Sequence, residues 1–406
     1  MDDIQTNTRI TVPVIALSFY AIASGYLMSS LPLMLSEYGL ESSLSSWLAS
    51  AFYAGLLAGT LLIERAIARV GHQRAFVLCL SVFIATILVL PLLPNAAVWL
   101  AARFVAGISV AGIFVIVESW LMSGEESQRA KRLAIYMCSL YGGSAIGQLG
   151  IGYLGITGGV PFIAMFTLLF GAIIVLQYGQ ATAPQMHDAQ TLSLKQISKL
   201  SHSALIGCIV SGLTLGAIYG LMPVELEQRN IAHEDIGGLM ALVIIGGMAV
   251  QPVVTWLSKY VGQVLLMALF SLMGVASIAM LTLNSGIYVL GISLFALGMA
   301  TFALYPIAIN LGCRNLDPSY LVSVTQVMLL CYSVGSVAGP IIADSFMDSQ
   351  AGLFTYLFAS LLATTIYMLI ASLKRSHLQI AGELAASNLT RRIKQPHLAL
   401  YLSGLP

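Results

Sequence analysis

The sequence predicts an all-α integral membrane protein with twelve transmembrane helices in two six-helix repeats. The prediction rests on the composition, on the number of long apolar segments and on an internal repeat. Of the 406 residues, 58% are hydrophobic and only 9% are charged, and the mean hydropathy is +0.90. Soluble domains contain about 25% charged residues. A chain this apolar is therefore expected to cross a membrane many times.

Apolar segments follow one another along the chain, each reaching the roughly 20 residues that a membrane helix needs. The first, at about 10–35, is too long for a signal peptide and lacks a small-residue cleavage site after a basic start. The uncharged stretches 133–186 and 260–313 are each too long for one helix, and each is predicted as two, separated at 157–161 and at 284–286. The other helices are predicted at 44–63, 75–93, 97–122, 204–226, 236–257, 320–343 and 351–373.

The lysines and arginines predict the orientation, because these residues prefer the cytoplasmic side of a membrane. With the N-terminus inside, 16 of the 18 fall in inner loops or tails; Arg103 lies in the membrane and only Arg229 lies outside. Both termini are thus predicted to be cytoplasmic. The predicted domains are an N-terminal half (1–179), a cytoplasmic linker (180–203), a C-terminal half (204–373) and a cytoplasmic tail (374–406).

The two halves of the sequence repeat each other. Shifts of 191 or 192 residues superpose glycines at the same point of corresponding helices: Gly25 on Gly216, Gly55 on Gly246, Gly107 on Gly298 and Gly143 on Gly335. Parallel repeats of this kind place a substrate site near the middle of the membrane, where the halves meet. One half then rocks against the other during transport.

Arg103 is the charged residue that the predicted topology leaves inside the membrane. A charge at this depth costs at least a few kcal/mol and normally faces a bundle interior or a water-filled path. Two interpretations remain open. The guanidinium either binds a carboxylate-bearing substrate through paired hydrogen bonds, or it is structural and is satisfied by backbone carbonyls of the first helix near Gly25.

Two acidic residues are further candidates for proton coupling. Glu118 follows Arg103 by 15 residues, about 22 Å along a helix, so the two cannot form a salt bridge. Glu118 either carries a proton or pairs with loop arginines such as Arg65 or Arg69. Glu225, at the outer end of the seventh helix, either accepts a proton when buried or is an exposed surface residue.

The sequence contains no pattern that predicts a metal site or a cofactor. All six histidines fall in predicted loops or tails, and the five cysteines have no C-x-x-C spacing. We therefore expect no enzyme, and a membrane enzyme or a non-transporting receptor is the least favoured class. The expected partners are a small-molecule substrate, membrane lipid and, with coupling, protons; we expect a monomer and no nucleic acid.

Several local strings in the predicted helices are distinctive: RFVAGIS (103–109), VESWLM (117–122), YGLMP (219–223), LYP (304–306) and YSVGSVAGP (332–340). They resemble the major facilitator superfamily, and in particular its bacterial inner-membrane branch of the YcaD type. The resemblance covers nearly the whole chain. It implies two six-helix halves, alternating access and a location in the bacterial inner membrane.

The family's loop after the second helix, G-x-L-x-D-R-x-G-R, matches only in part. Here Arg69 and Gly71 agree, while Ala68 occupies the aspartate position. In this family the acidic residue latches the cytoplasmic gate. The resemblance therefore implies that Glu64, one turn earlier, substitutes for it; the alternative is that Glu64 and the arginines of the loop, Arg65 and Arg69, form a solvated interfacial cluster.

In this family the first, fourth, seventh and tenth helices line the cavity. The resemblance thus makes Tyr26, Tyr219, Tyr305 and Asn310 candidate substrate contacts, with Gln148 of the fifth helix as a further polar candidate. The expected function is secondary active transport of a small solute, with proton coupling as the favoured energy source. The alternative is an uncoupled facilitator, or an importer of an anionic solute bound by Arg103.

Overall fold

The computed structural model describes residues 2–122, 126–179, 201–283, 286–314, 321–347 and 352–393. These residues form twelve helical segments, so the predicted all-α membrane fold is confirmed. Eleven of the helices are long and apolar enough to cross a membrane. Most of the predicted linker, and the end of the predicted tail beyond residue 393, lie outside the described residues.

The first half contains six helices. They are α1 (Asp2–Met34), α2 (Leu44–Val70), α3 (His72–Leu92), α4 (Ala96–Met122), α5 and α6 (Val160–Tyr178). Helix α5 consists of Glu126–Met137, a π-helical turn at Cys138–Gly142, and Gly143–Leu154. With the eleven spans above, α5 makes twelve crossings; it is not counted among the eleven because each of its pieces is too short. π-turns inside α-helices often mark functional sites.

The second half also contains six helices. They are α7 (His202–Gln228), α8 (His233–Leu257), α9 (Gln263–Leu283), α10 (Ile287–Gly312), α11 (Leu321–Met347) and α12 (Gly352–Ile393). Helix α12 continues 20 residues beyond the predicted end at residue 373, so the first part of the predicted tail is helical.

The helices define two faces of the bundle. We call the face on which α6 ends and α7 begins the linker face, and the opposite face, on which α1 ends and α2 begins, the far face. In the predicted orientation, the linker face lies in the cytoplasm.

Repeated glycine contacts confirm that the two halves share one architecture. A methyl group on Gly55 of α2 would overlap the carbonyl oxygen of Phe104 in α4, and one on Gly246 of α8 would overlap that of Phe295 in α10. The paired positions differ by 191 residues in both helices. Close approach of helix backbones requires small residues in membranes, which explains why the glycines repeat.

The two halves meet toward the far face along two seams. In the seam between α2 and α11, the Ser50 hydroxyl donates a hydrogen bond of 2.8 Å to the carbonyl oxygen of Val337. In the seam between α5 and α8, Gly237 packs directly on the carbonyl oxygen of Gln148. Near the linker face, by contrast, Glu118 of α4 is exposed. The described contacts between the halves thus lie toward the far face, and we interpret the structure as closed on that face and open toward the linker face.

Candidate functional site

Arg103 lies in the far half of α4, about 10 Å from the start of the helix, with 7% of its surface exposed. Its guanidinium carbon lies 4.4 Å from the centroid of the Phe52 ring, in a cation–π contact. Its Nε has no hydrogen-bond partner among the described residues, and none of their carboxylates lies within 4 Å of it. In the structural interpretation of Arg103, backbone carbonyls near Gly25 satisfy the guanidinium. Gly25 itself packs against the backbone of Ser144.

An aromatic layer closes the cavity at mid-membrane. Tyr141 of α5 and Tyr219 of α7 both pack edge-on against Phe302 of α10, at ring-centroid distances of 5.5 and 6.1 Å. Since Tyr141 belongs to the first half and the other two to the second, this layer joins the halves. It separates the open side of the cavity from the closed far face.

Further tyrosines connect this layer to Arg103. The hydroxyl of Tyr53 in α2 is within electrostatic range of Arg103, Tyr219 and Tyr332. Tyr332 also packs against Tyr305, with ring centroids 5.0 Å apart. The structure therefore brings together three of the predicted residues, Arg103, Tyr219 and Tyr305.

Tyr53, Tyr141 and Tyr332 join this group although the sequence reasoning did not select them. Tyrosine in membrane proteins is concentrated at the two membrane interfaces. A tyrosine far from the ends of a long apolar helix is atypical, and this was the available signal.

Glu118 lies near the linker-face end of α4 and is exposed. It accepts a hydrogen bond of 3.0 Å from the Tyr136 hydroxyl of α5. Tyr305 of the second half is within its electrostatic range. Glu118 forms no salt bridge with any described residue. The pairing of Glu118 with Arg65 stays a prediction, because the Arg65 side chain lies outside the described residues.

Glu225 is buried, with 3% of its surface exposed, so its interpretation as an exposed surface residue is wrong. Its Oε1 lies 2.6 Å from Nε of Arg229, which directly follows the last residue of α7. Its Oε2 accepts a hydrogen bond of 2.8 Å from the backbone N–H of Leu353, in the first turn of α12. A carboxylate is favourable at a helix N-terminus. Glu225 therefore ties α7 to α12, away from the cavity.

We expect Glu225→Ala to lower the stability of the folded protein by about 1–3 kcal/mol, because the buried Leu353 N–H loses its acceptor. Thermal unfolding of the purified variant measures this loss. The control is Glu227→Ala, since Glu227 pairs with His233 where both side chains are 41% exposed. Equal melting temperatures for the two variants would contradict the capping role.

The structure does not place the remaining predicted contacts beside Arg103. The Tyr26 hydroxyl donates a hydrogen bond to the carbonyl oxygen of Gly155, at the far end of α5. Gln148 is fully buried in the seam between α5 and α8. Asn310 is exposed on α10, and its five-residue offset from Tyr305 rotates it by about 140° around the helix.

At the predicted gating loop, Gly71 ends α2 and precedes α3 with φ of 83°. Such a backbone conformation favours glycine. The Arg69 side chain is exposed, and the side chains of Glu64 and Arg65 lie outside the described residues. The gating role of these residues stays a prediction. The described residues contain no cluster of three histidine, cysteine or acidic side chains that could hold a metal ion.

The sequence is similar to a known transporter family over most of its length. Residues 14–340 match the profile of the Major Facilitator Superfamily. The uncharacterized MFS-type transporter YcaD of Escherichia fergusonii is 32% identical over 367 residues, which cover 89% of this chain and 94% of that protein. The YcaD protein of Escherichia coli O6:K15:H31 is 32% identical over 352 residues, covering 85% and 91%.

Solved transporter structures share the fold. The nucleoside transporter NupG superposes with a TM-score of 0.72 at 10% identity, covering 90% of this chain and 97% of that one. A bacterial homologue of the human lysosomal transporter Spinster, in an inward-facing and unoccupied conformation, has a TM-score of 0.67 at 14% identity, covering 89% and 94%. At such identities the likeness concerns the fold alone.

Proposed function

Because the chain belongs to the Major Facilitator Superfamily, we propose that it couples movement of a small solute to protons through Glu118, by alternating access. Family membership shows that the protein is a multi-pass membrane transporter of a small solute and not an enzyme. The proposal places the linker face and both termini in the cytoplasm of a bacterial cell, because that orientation puts 16 of the 18 basic residues inside.

The observation that supports coupling is a carboxylate in the cavity without a counter-charge among the described residues. Glu118 is exposed in the conformation that opens to the linker face, and its described partner is the neutral Tyr136 hydroxyl. In the proposed mechanism Glu118 loses water when the cavity closes on that face, and no cation of the described residues lies within 4 Å of it. Dehydration favours the neutral, protonated carboxyl. Alternating access would then move a proton with each cycle.

Glu118→Gln tests this proposal. A thermal-shift screen of metabolites and drugs on the purified protein first selects a ligand, and its uptake is then followed in proteoliposomes with an imposed pH gradient. We expect the variant to lose accumulation driven by the gradient. It should keep exchange of solute at equal concentrations, since glutamine imitates the neutral form.

The matched control is Glu227→Gln, whose carboxylate lies on the far face and outside the cavity. It should respond to the gradient as the wild type does. Gradient-driven accumulation that persists in Glu118→Gln would remove Glu118 from the coupling mechanism. A wild-type protein indifferent to the gradient would support the uncoupled facilitator.

A second candidate function is the transport of an anionic solute bound by Arg103. It is supported by the position of the guanidinium, which lies beside Tyr53 and Tyr219 and has no carboxylate of the described residues within 4 Å. Tyrosine rings can stack on a planar solute, and their hydroxyls can donate hydrogen bonds to its charged group. Uptake that ignores the pH gradient but competes with organic carboxylates would favour this candidate over the proton-coupled one.

A further inference from the structure

A small cavity of about 20 Å³ lies between Arg103 and the far face. It is lined by residues of α1, α2, α4 and α7, among them Ser45, Phe52, Tyr53 and Tyr219. A volume above about 10–15 Å³ is enough for one water-sized particle. The cavity therefore has room for a single water or a monoatomic ion.

Two buried polar atoms on the wall of this cavity have no partner within the described part of the chain. They are Nε of Arg103 and the hydroxyl of Ser45, in side chains whose residues are 7% and 2% exposed. Buried polar groups are hydrogen-bonded in nearly all proteins. Both groups can donate, and Tyr53, whose hydroxyl is within electrostatic range of Arg103, also lines the cavity. The site is therefore suited to a ligand that accepts hydrogen bonds.

The charge of the site distinguishes an anion from a water molecule. The Arg103 guanidinium is positive, and no carboxylate of the described residues lies within 4 Å of it. Its contact with the Phe52 ring offsets only part of the cost of burying a charge. A water molecule would satisfy the donors but leave the charge unpaired. A monoatomic anion satisfies both.

We propose that this cavity is a halide site, in which one chloride ion pairs with Arg103 and accepts hydrogen bonds from the lining hydroxyls while the far face is closed. The site differs from the proton-coupling role of Glu118, because it concerns a different charge on the other side of the aromatic layer. Halide binding can therefore be tested without any transport assay, and either proposal can fail alone.

The test is a thermal-stability titration of the purified full-length protein with sodium chloride or sodium bromide, with sodium gluconate keeping the ionic strength constant. We expect the melting temperature to rise saturably with either halide. Ser45→Ala should weaken the apparent halide affinity about tenfold, the effect of one hydrogen bond to a charged group.

The matched control is Ser46→Ala, because Ser46 is equally buried but donates its hydroxyl to the carbonyl oxygen of Ser43 at 3.0 Å. This variant should bind halide as the wild type does. Arg103→Gln should abolish the halide dependence, and Arg103→Lys, which keeps a charge, should weaken it. Line broadening in ³⁵Cl NMR gives an independent measure of binding to each variant that folds.

Two results would overturn the proposal. Melting temperatures that are the same in chloride and gluconate would show that the cavity holds water. A halide effect that Ser45→Ala and Arg103→Lys leave unchanged would place the ion elsewhere on the protein.

Discussion

Replacing Gly237 by valine is expected to stop transport by preventing closure of the far face. Gly237 of α8 packs on the carbonyl oxygen of Gln148 in α5, where a methyl group would overlap backbone atoms. Backbone cannot rotate away as a flexible side chain can. Overpacking of this kind costs about 1–3 kcal/mol or more, which shifts the ratio of closed to open far-face states by about 10- to 100-fold. Each half can keep its fold, because the overlap lies between the halves.

The adjacent glycine provides the control. Gly238 has no atom within 4 Å of an added methyl group, so Gly238→Val carries the same helix-propensity change without the clash. Opening is measured by the reaction of Ser50→Cys with a maleimide, since Ser50 is 4% exposed in the other seam. We expect rapid labelling with Gly237→Val and slow labelling with Gly238→Val. Protection of the cysteine and normal transport in both variants would contradict the seam's role.

The number of helices and their repeat could be predicted from the sequence because each leaves a recognisable pattern of residues along the chain. A membrane helix must be apolar over a fixed length, and close helix contacts must use small residues. Gly55 and Gly246 carry the second signal, and the structure shows the same backbone contact at both. The π-turn at Cys138–Gly142 was not predicted, because the local apolar pattern continues through it.

The depth of Arg103 in the membrane could also be predicted from the sequence, whereas the side of each helix that faces the cavity could not. Arg103 stood out as a cation inside an apolar segment. In α1, however, the tyrosine within electrostatic range of Arg103 is Tyr20 and not Tyr26, which is rotated by about 120° around the helix. Which of these two sides faces the cavity depends on how α1 packs against α4 and α5, and sequence spacing does not contain that information.

The burial of Glu225 at the end of α7 could not be predicted from the sequence either. Glu225 is followed by other polar residues, a pattern typical of a solvated loop. Its burial depends on the N–H of Leu353, which is 128 residues away in the chain. Such a partner becomes visible only when the order of helices around the bundle is known.

Arg103→Ala is expected to reduce transport about 10- to 100-fold while the protein stays folded. The guanidinium is a cation that the described residues do not neutralise, and its burial in the protein strengthens its field. Loss of one hydrogen bond to a charged group costs about 1.5–3 kcal/mol, which corresponds to this range of rates. Helix packing should survive, because Gly107 and not Arg103 makes the close contact of α4 with α2.

The measurement is initial uptake of the screened ligand into proteoliposomes, with size-exclusion chromatography as the test of folding. Arg103→Lys should give an intermediate rate, because lysine keeps the charge but lacks the planar set of donors. Arg74→Ala removes an exposed arginine of α3 and should transport normally. Wild-type uptake by a folded Arg103→Ala protein would show that the guanidinium is structural. The site would then have to be sought among the tyrosines near Arg103, beginning with Tyr53→Phe and Tyr219→Phe.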